Sequence, residues 1–193
     1  MTHPDLLSTS SLLKLINPSG VYLLGYAWLC GMSIWVSFLG GVIALKTLPR
    51  HQFGTLQHRT FPVYFVISIL LASALLGLWA YGHPAVLIHW DDPKVADVAQ
   101  AYTLAAVVLL QAGNYFVVGP MTSRVMFKRH KLEKEESKGY DESGVSDSMK
   151  TVNKQFSALH GASSLLNLCA VISLLFHGLW IGNAGVGIAA FNL

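Results

Sequence analysis

Four stretches of this chain contain no Asp, Glu, Lys or Arg: between Lys14 and Lys46, between Arg59 and Asp91, between Asp97 and Arg124, and from Lys154 to the end. Each has room for the roughly 20 apolar residues that carry a helix across a bilayer. No other feature constrains the fold so strongly. A spanning segment must satisfy its own backbone donors and acceptors, which favours helices. The runs also lack the one-faced period of a soluble amphipathic helix. The expected fold is therefore an all-α integral membrane protein, four transmembrane helices in an antiparallel bundle, with spans at 21–45, 61–81, 98–123 and 156–181. Composition agrees, since 12% of the 193 residues are charged, against about 25% in soluble domains.

The segments between the spans divide the chain. Residues 1–20 form an N-terminal tail, and 21–128 a core with the first three spans. Residues 129–155 form a charged cytoplasmic helix and linker, and 156–193 the fourth span and an apolar tail. The N-terminus does not read as a cleavable signal, because no basic region precedes a short apolar one. Asp5, and the lack of arginine before Arg50, argue against a mitochondrial presequence. Residues 8–16 are expected either as a short surface helix or as a frayed tail. The run at 182–193 is too short to span and is expected in the interface or free. Cys30 and Cys169 lie inside spans and read as small packed residues.

Of the 13 Lys and Arg residues, Lys14 and Lys94 fall on one side of a four-span topology. Lys46, Arg50, Arg59, Arg124, Lys128, Arg129, Lys131, Lys134, Lys138, Lys150 and Lys154 fall on the other. The positive-inside rule then places the first and third loops in the cytoplasm and both termini outside or in a lumen.

Residues 48–62, LPRHQFGTLQHRTFP, interrupt the apolar pattern with an unusually particular turn. Pro49 and Pro62 bracket about three helical turns. Phe53, Leu56 and Thr60 share one face, and His51, Thr55 and His58 the opposite one. That pattern predicts an interfacial helix with Arg50 and Arg59 at the headgroups. His51 and His58 are about 10 Å apart along a helix axis, too far for one ion to bridge them unaided. No metal or cofactor is expected from this segment.

The turn residues Pro49, Arg50, His51, Phe53, Gly54, Gln57, Phe61 and Pro62, written LPRHQFG, LQ and FPVYF, resemble the signature of the transmembrane protein 205 family. AWLCGMSIWVSFLGG (27–41), GPMTSRVM (119–126), LEKEE (132–136) and LHGASSLLNL (159–168) agree with it in order. The likeness covers most of 27–168, while the middle loop and both termini match poorly. It implies a small four-span membrane protein without a settled molecular activity.

Other residues carry narrower expectations. Ser33, Ser37 and Gly41 form a small-residue stripe for helix packing. Trp28 and Trp35 face either lipid or core. The Gly119-Pro120 step marks a kink in the third span. Beyond it, Arg129–Glu133 and Lys131–Glu135 are i, i+4 pairs that support a helical extension. Arg50, Arg59, Arg124, Lys128, Arg129 and Lys131 are expected at lipid headgroups, each attracted to anionic lipid by about 1 kcal/mol. Residues 139–147 read as a flexible acidic linker, with Ser143, Ser146 and the adjoining Ser148 as candidate phosphorylation sites.

Within the spans, Ser157, His160, Ser164 and Asn167 recur at steps of three and four on the fourth. Gln111 and Asn114 share a face of the third. Amides facing lipid would be left unpaired at a cost of a few kcal/mol, so both stripes should point inward. Gln111 or Asn114 should meet Asn167, with His160 nearer the cytoplasm on the same face.

Catalytic signatures are missing: there is no P-loop, GxGxxG, HExxH or nucleophile elbow. The spans hold no carboxylate of the kind ion-coupled transporters use. The expected role is a non-enzymatic accessory or organising factor. An oligomeric small-solute, metal- or drug-linked transporter or channel is the alternative. A haem- or metal-binding membrane enzyme using His83, His89 and His177 is the third. Expected partners are membrane lipids, anionic on the cytoplasmic side, and a homo-oligomer or another membrane protein; nucleic acid is not among them.

Overall fold

Side-chain caps mark where two of the long helices start. Asn17 caps the first, its Oδ1 accepting from the Gly20 amide at 2.8 Å, with Pro18 in the first turn. Ser146 caps the last, its Oγ accepting from the Met149 amide at 3.1 Å. Each cap satisfies a donor that the helix itself leaves unpaired. The computed structural model describes residues 8, 9, 12 and 14–188. They form α1 (Pro18–Thr47), α2 (Arg50–Gly82), the short α3 (Ala85–Ile88), α4 (Ala96–Glu136) and α5 (Asp147–Ala184). Four of these helices are long and apolar enough to cross a membrane. No strand occurs among the described residues.

Several helices outrun the bilayer. At 1.5 Å per residue, α4 is about 60 Å long against a hydrocarbon core of about 30 Å. Its final stretch, from Arg124 to Glu136, is dense in charge and lies beyond the apolar part of the helix. The turn at 48–62 is likewise the start of α2 rather than a separate interfacial helix. Pro49 precedes the first helical residue, and the helix then runs unbroken through Pro62. One missing N–H within a 33-residue apolar helix is outweighed by the packing around it.

Two helices contain a π-helical segment: Trp35–Gly40 in α1 and Asn114–Val118 in α4. The second lies just before Gly119-Pro120, where proline cannot supply its own donor. Both helices continue past these segments.

α2 packs along α4, α4 along α5, and α1 along α2. The first half of α1 also meets α5, whereas beyond Ser37 it leans on α2. Tyr22, Leu29, Leu75, Trp79, Leu104, Val107, Ala170 and Leu174 fill the shared core. Trp28 and Trp35 point outward, with Leu24, Leu109, Phe116 and Leu179, as expected where the surrounding solvent is lipid. Gly178 lets α1 approach α5 closely, since a Cβ there would fall on the Tyr26 hydroxyl.

The C-terminal run does not hang free where it is described. Gly185 and Gly187 take φ of +78° and +68°, values open to glycine, and turn the chain back. Val186 and Ile188 are buried, and the Ser19 hydroxyl donates to the Ile188 carbonyl at 2.8 Å. Residues 189–193, and residues 10, 11 and 13 of the 8–16 segment, lie outside the described residues.

Candidate functional site

Polar side chains gather at three levels of the bundle. The middle level joins all four long helices. Asn167 of α5 accepts at Oδ1 from the Tyr64 hydroxyl of α2 at 2.8 Å and from Gln111 Nε2 of α4 at 3.2 Å. Gln111 Nε2 also reaches the Tyr64 hydroxyl at 3.1 Å, and Asn167 Nδ2 donates to Ser37 Oγ of α1. Asn114 Nδ2 donates to the Ser163 carbonyl at 3.2 Å. Gln111 and Asn114 are fully buried, yet Gln111 Oε1 and Asn114 Oδ1 have no partner among the described residues. Ser37 and Asn114 both lie in the π-helical segments.

The structure thus brings Gln111 to Asn167 and adds Tyr64 and Ser37. It does not bring His160 or Ser164. Both are exposed, with Ser157, and the His160 ring stacks on Phe156 at 5.7 Å. Their helical face is the one expected, but α1 has turned toward α2 at this level and leaves that face uncovered. Of the small-residue stripe, Ser33 is buried with its hydroxyl returned to the Leu29 carbonyl at 2.7 Å. Gly41 lies near the Gln57 side chain of α2.

The second level surrounds His177. Its Nδ1 lies 2.8 Å from Gln100 Oε1, and its Nε2 2.6 Å from the Tyr22 hydroxyl. Since a carbonyl oxygen only accepts, Nδ1 carries the proton and Nε2 accepts from Tyr22. Trp79 meets the His177 ring edge-on at 5.1 Å and stacks with His83 at 3.9 Å. His89 is exposed, and it belongs to no close group of metal-ligating side chains among the described residues. The three histidines therefore do not converge as a haem or metal set, because both His177 nitrogens are taken within the core.

The third level lies at the charged end. Glu133 pairs with Arg50 across helices, not with Arg129 along its own. Its Oε1 also accepts the Tyr140 amide at 3.0 Å. The Tyr140 ring lies beneath two guanidinium groups, 3.7 Å from Arg50 and 4.5 Å from Arg129. Arg129 also covers the Phe156 ring at 4.0 Å. Arg129 is 8% exposed and so cannot serve as a headgroup contact. Arg50 is only partly available for that role, whereas Arg59, Arg124 and Lys128 remain exposed. Lys131 is exposed and pairs with Glu135 at 3.6 Å, as the spacing predicts. Burial is the main cause that lowers the Arg129 pKa, and Arg50 adds to it. His130 is likewise shifted below its ordinary value, first by burial and then by His51.

The segment expected as a flexible linker is held by this end. Asn153 Nδ2 donates to the Tyr140 carbonyl at 2.7 Å, and the amide and hydroxyl of Ser146 both bond Glu136. Within the segment Glu142 accepts the Gly139 amide at 2.8 Å, a contact that composition alone does not reveal.

The turn motif reads differently in three dimensions. His51 meets the His130 ring of α4 edge-on at 4.5 Å, and His58 Nδ1 lies 2.9 Å from Ser123 Oγ. Gly54 is buried between them, where a Cβ would sit 3.1 Å from Met126 Sδ and 3.3 Å from His130 Cε1. The histidine face therefore packs on α4, while Leu56 and Arg59 are exposed. Sequence reasoning missed Tyr22, Tyr64, Gln100, His130 and Glu133 as site residues. Only Gln100 and Tyr64 offered a signal, as polar groups near or within spans.

A family model described as a domain of unknown function, DUF4149, matches residues 24–131. Transmembrane protein 205 of Danio rerio is 28% identical, over 84% of this chain and 92% of that protein. Xanthocillin biosynthesis cluster protein D of Aspergillus fumigatus is 26% identical, over 84% of this chain and 88% of that protein. No solved structure matches.

Proposed function

Because the chain belongs to the DUF4149 family of transmembrane protein 205-like, multi-pass membrane proteins, we propose that it is a non-enzymatic accessory or organising factor of the membrane. The four spans form an antiparallel bundle, with the charged end in the cytoplasm and both termini on the opposite side. Arg59, Arg124 and Lys128 rest against anionic headgroups there.

One observation carries this reading. The buried amides of the spans join Ser37, Tyr64, Gln111 and Asn167 into one network that touches all four long helices. Groups tied to one another in this way hold the bundle together, and a transport path would need them facing a substrate. The same logic applies at His177, whose nitrogens are both engaged.

The test is reconstitution of the purified full chain. The expected result is no Soret band, no solute flux in proteoliposomes, and a C-terminal tag protected from protease on the cytoplasmic side. Solute flux abolished by Asn167→Leu in a protein that still folds would overturn the proposal in favour of a transporter.

A further inference from the structure

The turn of α2 and the charged extension of α4 place two imidazoles and a carboxylate together. Ligand atoms of His51, His130 and Glu133 all lie within 4.8 Å of one another. We propose that this triad binds a divalent first-row transition ion of the zinc class, bridging α2 to α4.

The donor set is the first argument. Two imidazoles and one carboxylate are the protein ligands of open, three-residue sites that leave a position for water or another group. The expectation of no metal was argued from His51 and His58, which one ion cannot bridge from a single helix. Here the second histidine comes from α4 instead.

The state of Glu133 is the second argument. The residue is 7% exposed. Its Oε1 is held by Arg50 and by the Tyr140 amide, which fixes the carboxylate. Its Oε2 makes no hydrogen bond among the described residues and lies 3.9 Å from His51 Nε2. A buried carboxylate oxygen without a hydrogen bond, aimed at an imidazole, is costly to leave so. A cation between the two rings and this oxygen would satisfy it.

Geometry is the third. His130 and Glu133 are three residues apart on α4 and share a face. His51 stands in the first turn of α2 with 57% of its side chain exposed. Its ring is free to close the gap to about 3.3 Å, the edge of a tetrahedron with bonds near 2.0–2.1 Å. Gly54 permits the approach, because a Cβ would press on His130 and Met126. His51 also lines a shallow surface depression with Gln52, Thr55, Leu56 and Arg59, so this ligand is reachable from solvent. Arg50 shares Glu133 through the other oxygen, and its charge makes the site an exchangeable one rather than a permanent clamp.

The experiment uses the full chain in detergent, purified without a histidine tag and stripped of metal. Zinc alone is titrated, and bound metal is counted after dialysis. Cobalt serves as an optical reporter of tetrahedral coordination. The expected result is about one ion per chain, with His51→Ala and His130→Ala each weakening binding about tenfold or more. His58→Ala and His160→Ala should bind as the parent does. His51→Ala is the decisive variant, since its side chain is largely exposed and its loss leaves the fold intact, as a thermal melt will show. Absence of stoichiometric zinc in the parent overturns the proposal. So does binding that survives both His51→Ala and His130→Ala, or that falls equally in His58→Ala.

Discussion

Replacing Asn167 with leucine is the most direct probe of the bundle interior. The substitution keeps the number of side-chain heavy atoms and removes three hydrogen bonds at once. Oδ1 no longer accepts from Tyr64 and Gln111, and Nδ2 no longer donates to Ser37. Interhelical hydrogen bonds in membranes average about 0.6 kcal/mol, with a maximum near 1.7. Three of them amount to about 2 kcal/mol. The Tyr64 proton and one Gln111 donor site are then left in an apolar interior, where each unpaired group costs about 1–3 kcal/mol. Gln111 keeps its existing bond to the Tyr64 oxygen at 3.1 Å, so its amide is not left wholly unpaired. The expected loss is therefore about 2–4 kcal/mol. His160→Leu is the matched control: its ring is outside the bundle, so its loss should stay within about 0.5 kcal/mol. Reversible unfolding in mixed micelles measures both. Asn167→Leu paired with Tyr64→Phe in a double-mutant cycle should show coupling of about 0.5–2 kcal/mol. Equal effects of Asn167→Leu and His160→Leu, or no coupling to Tyr64, would refute the network.

Gly178→Ala should destabilise by about 1–3 kcal/mol, because the new methyl occupies the place of the Tyr26 hydroxyl, which now donates to the Leu174 carbonyl at 3.0 Å; thermal unfolding in detergent measures it, and Tyr26→Leu in the same chain should recover part of the loss. Tyr140→Ala removes the ring beneath Arg50 and Arg129, so limited proteolysis should cut within 137–146 far sooner than in the parent. Acid should loosen the same loop. Two hydrogen bonds from Ser146 hold the Glu136 carboxyl below its ordinary value of 4.5; a depressed carboxylate stabilises above that value and stops doing so as pH falls through the lowered one. Hydrogen exchange at Ser146 should therefore rise below about pH 4.5, and Glu136→Gln should abolish that dependence.

Much of the architecture is legible along the chain because a bilayer punishes charge one residue at a time. The runs without Asp, Glu, Lys or Arg set the four spans, whereas the caps at Asn17 and Ser146 are seen only in the structure. Gln111 and Asn167 were readable as inward-facing for the same reason: an amide has nowhere else to go in hydrocarbon. His160 shows where that reasoning stops. It shares the helical face of Asn167, but burial needs a neighbour as well as a face, and α1 covers α5 only as far as Ser37. The π-helical segments that carry Ser37 and Asn114 leave no simple mark in the sequence either. At the charged end the spacing offered Glu133 to Arg129, yet the tertiary fold brings Arg50 to Glu133 and lays Arg129 over Tyr140 and Phe156. Sequence spacing describes one helix at a time, whereas the partner of a charge, and the approach of His51 to His130 and Glu133, depend on how α2 and α4 lie side by side.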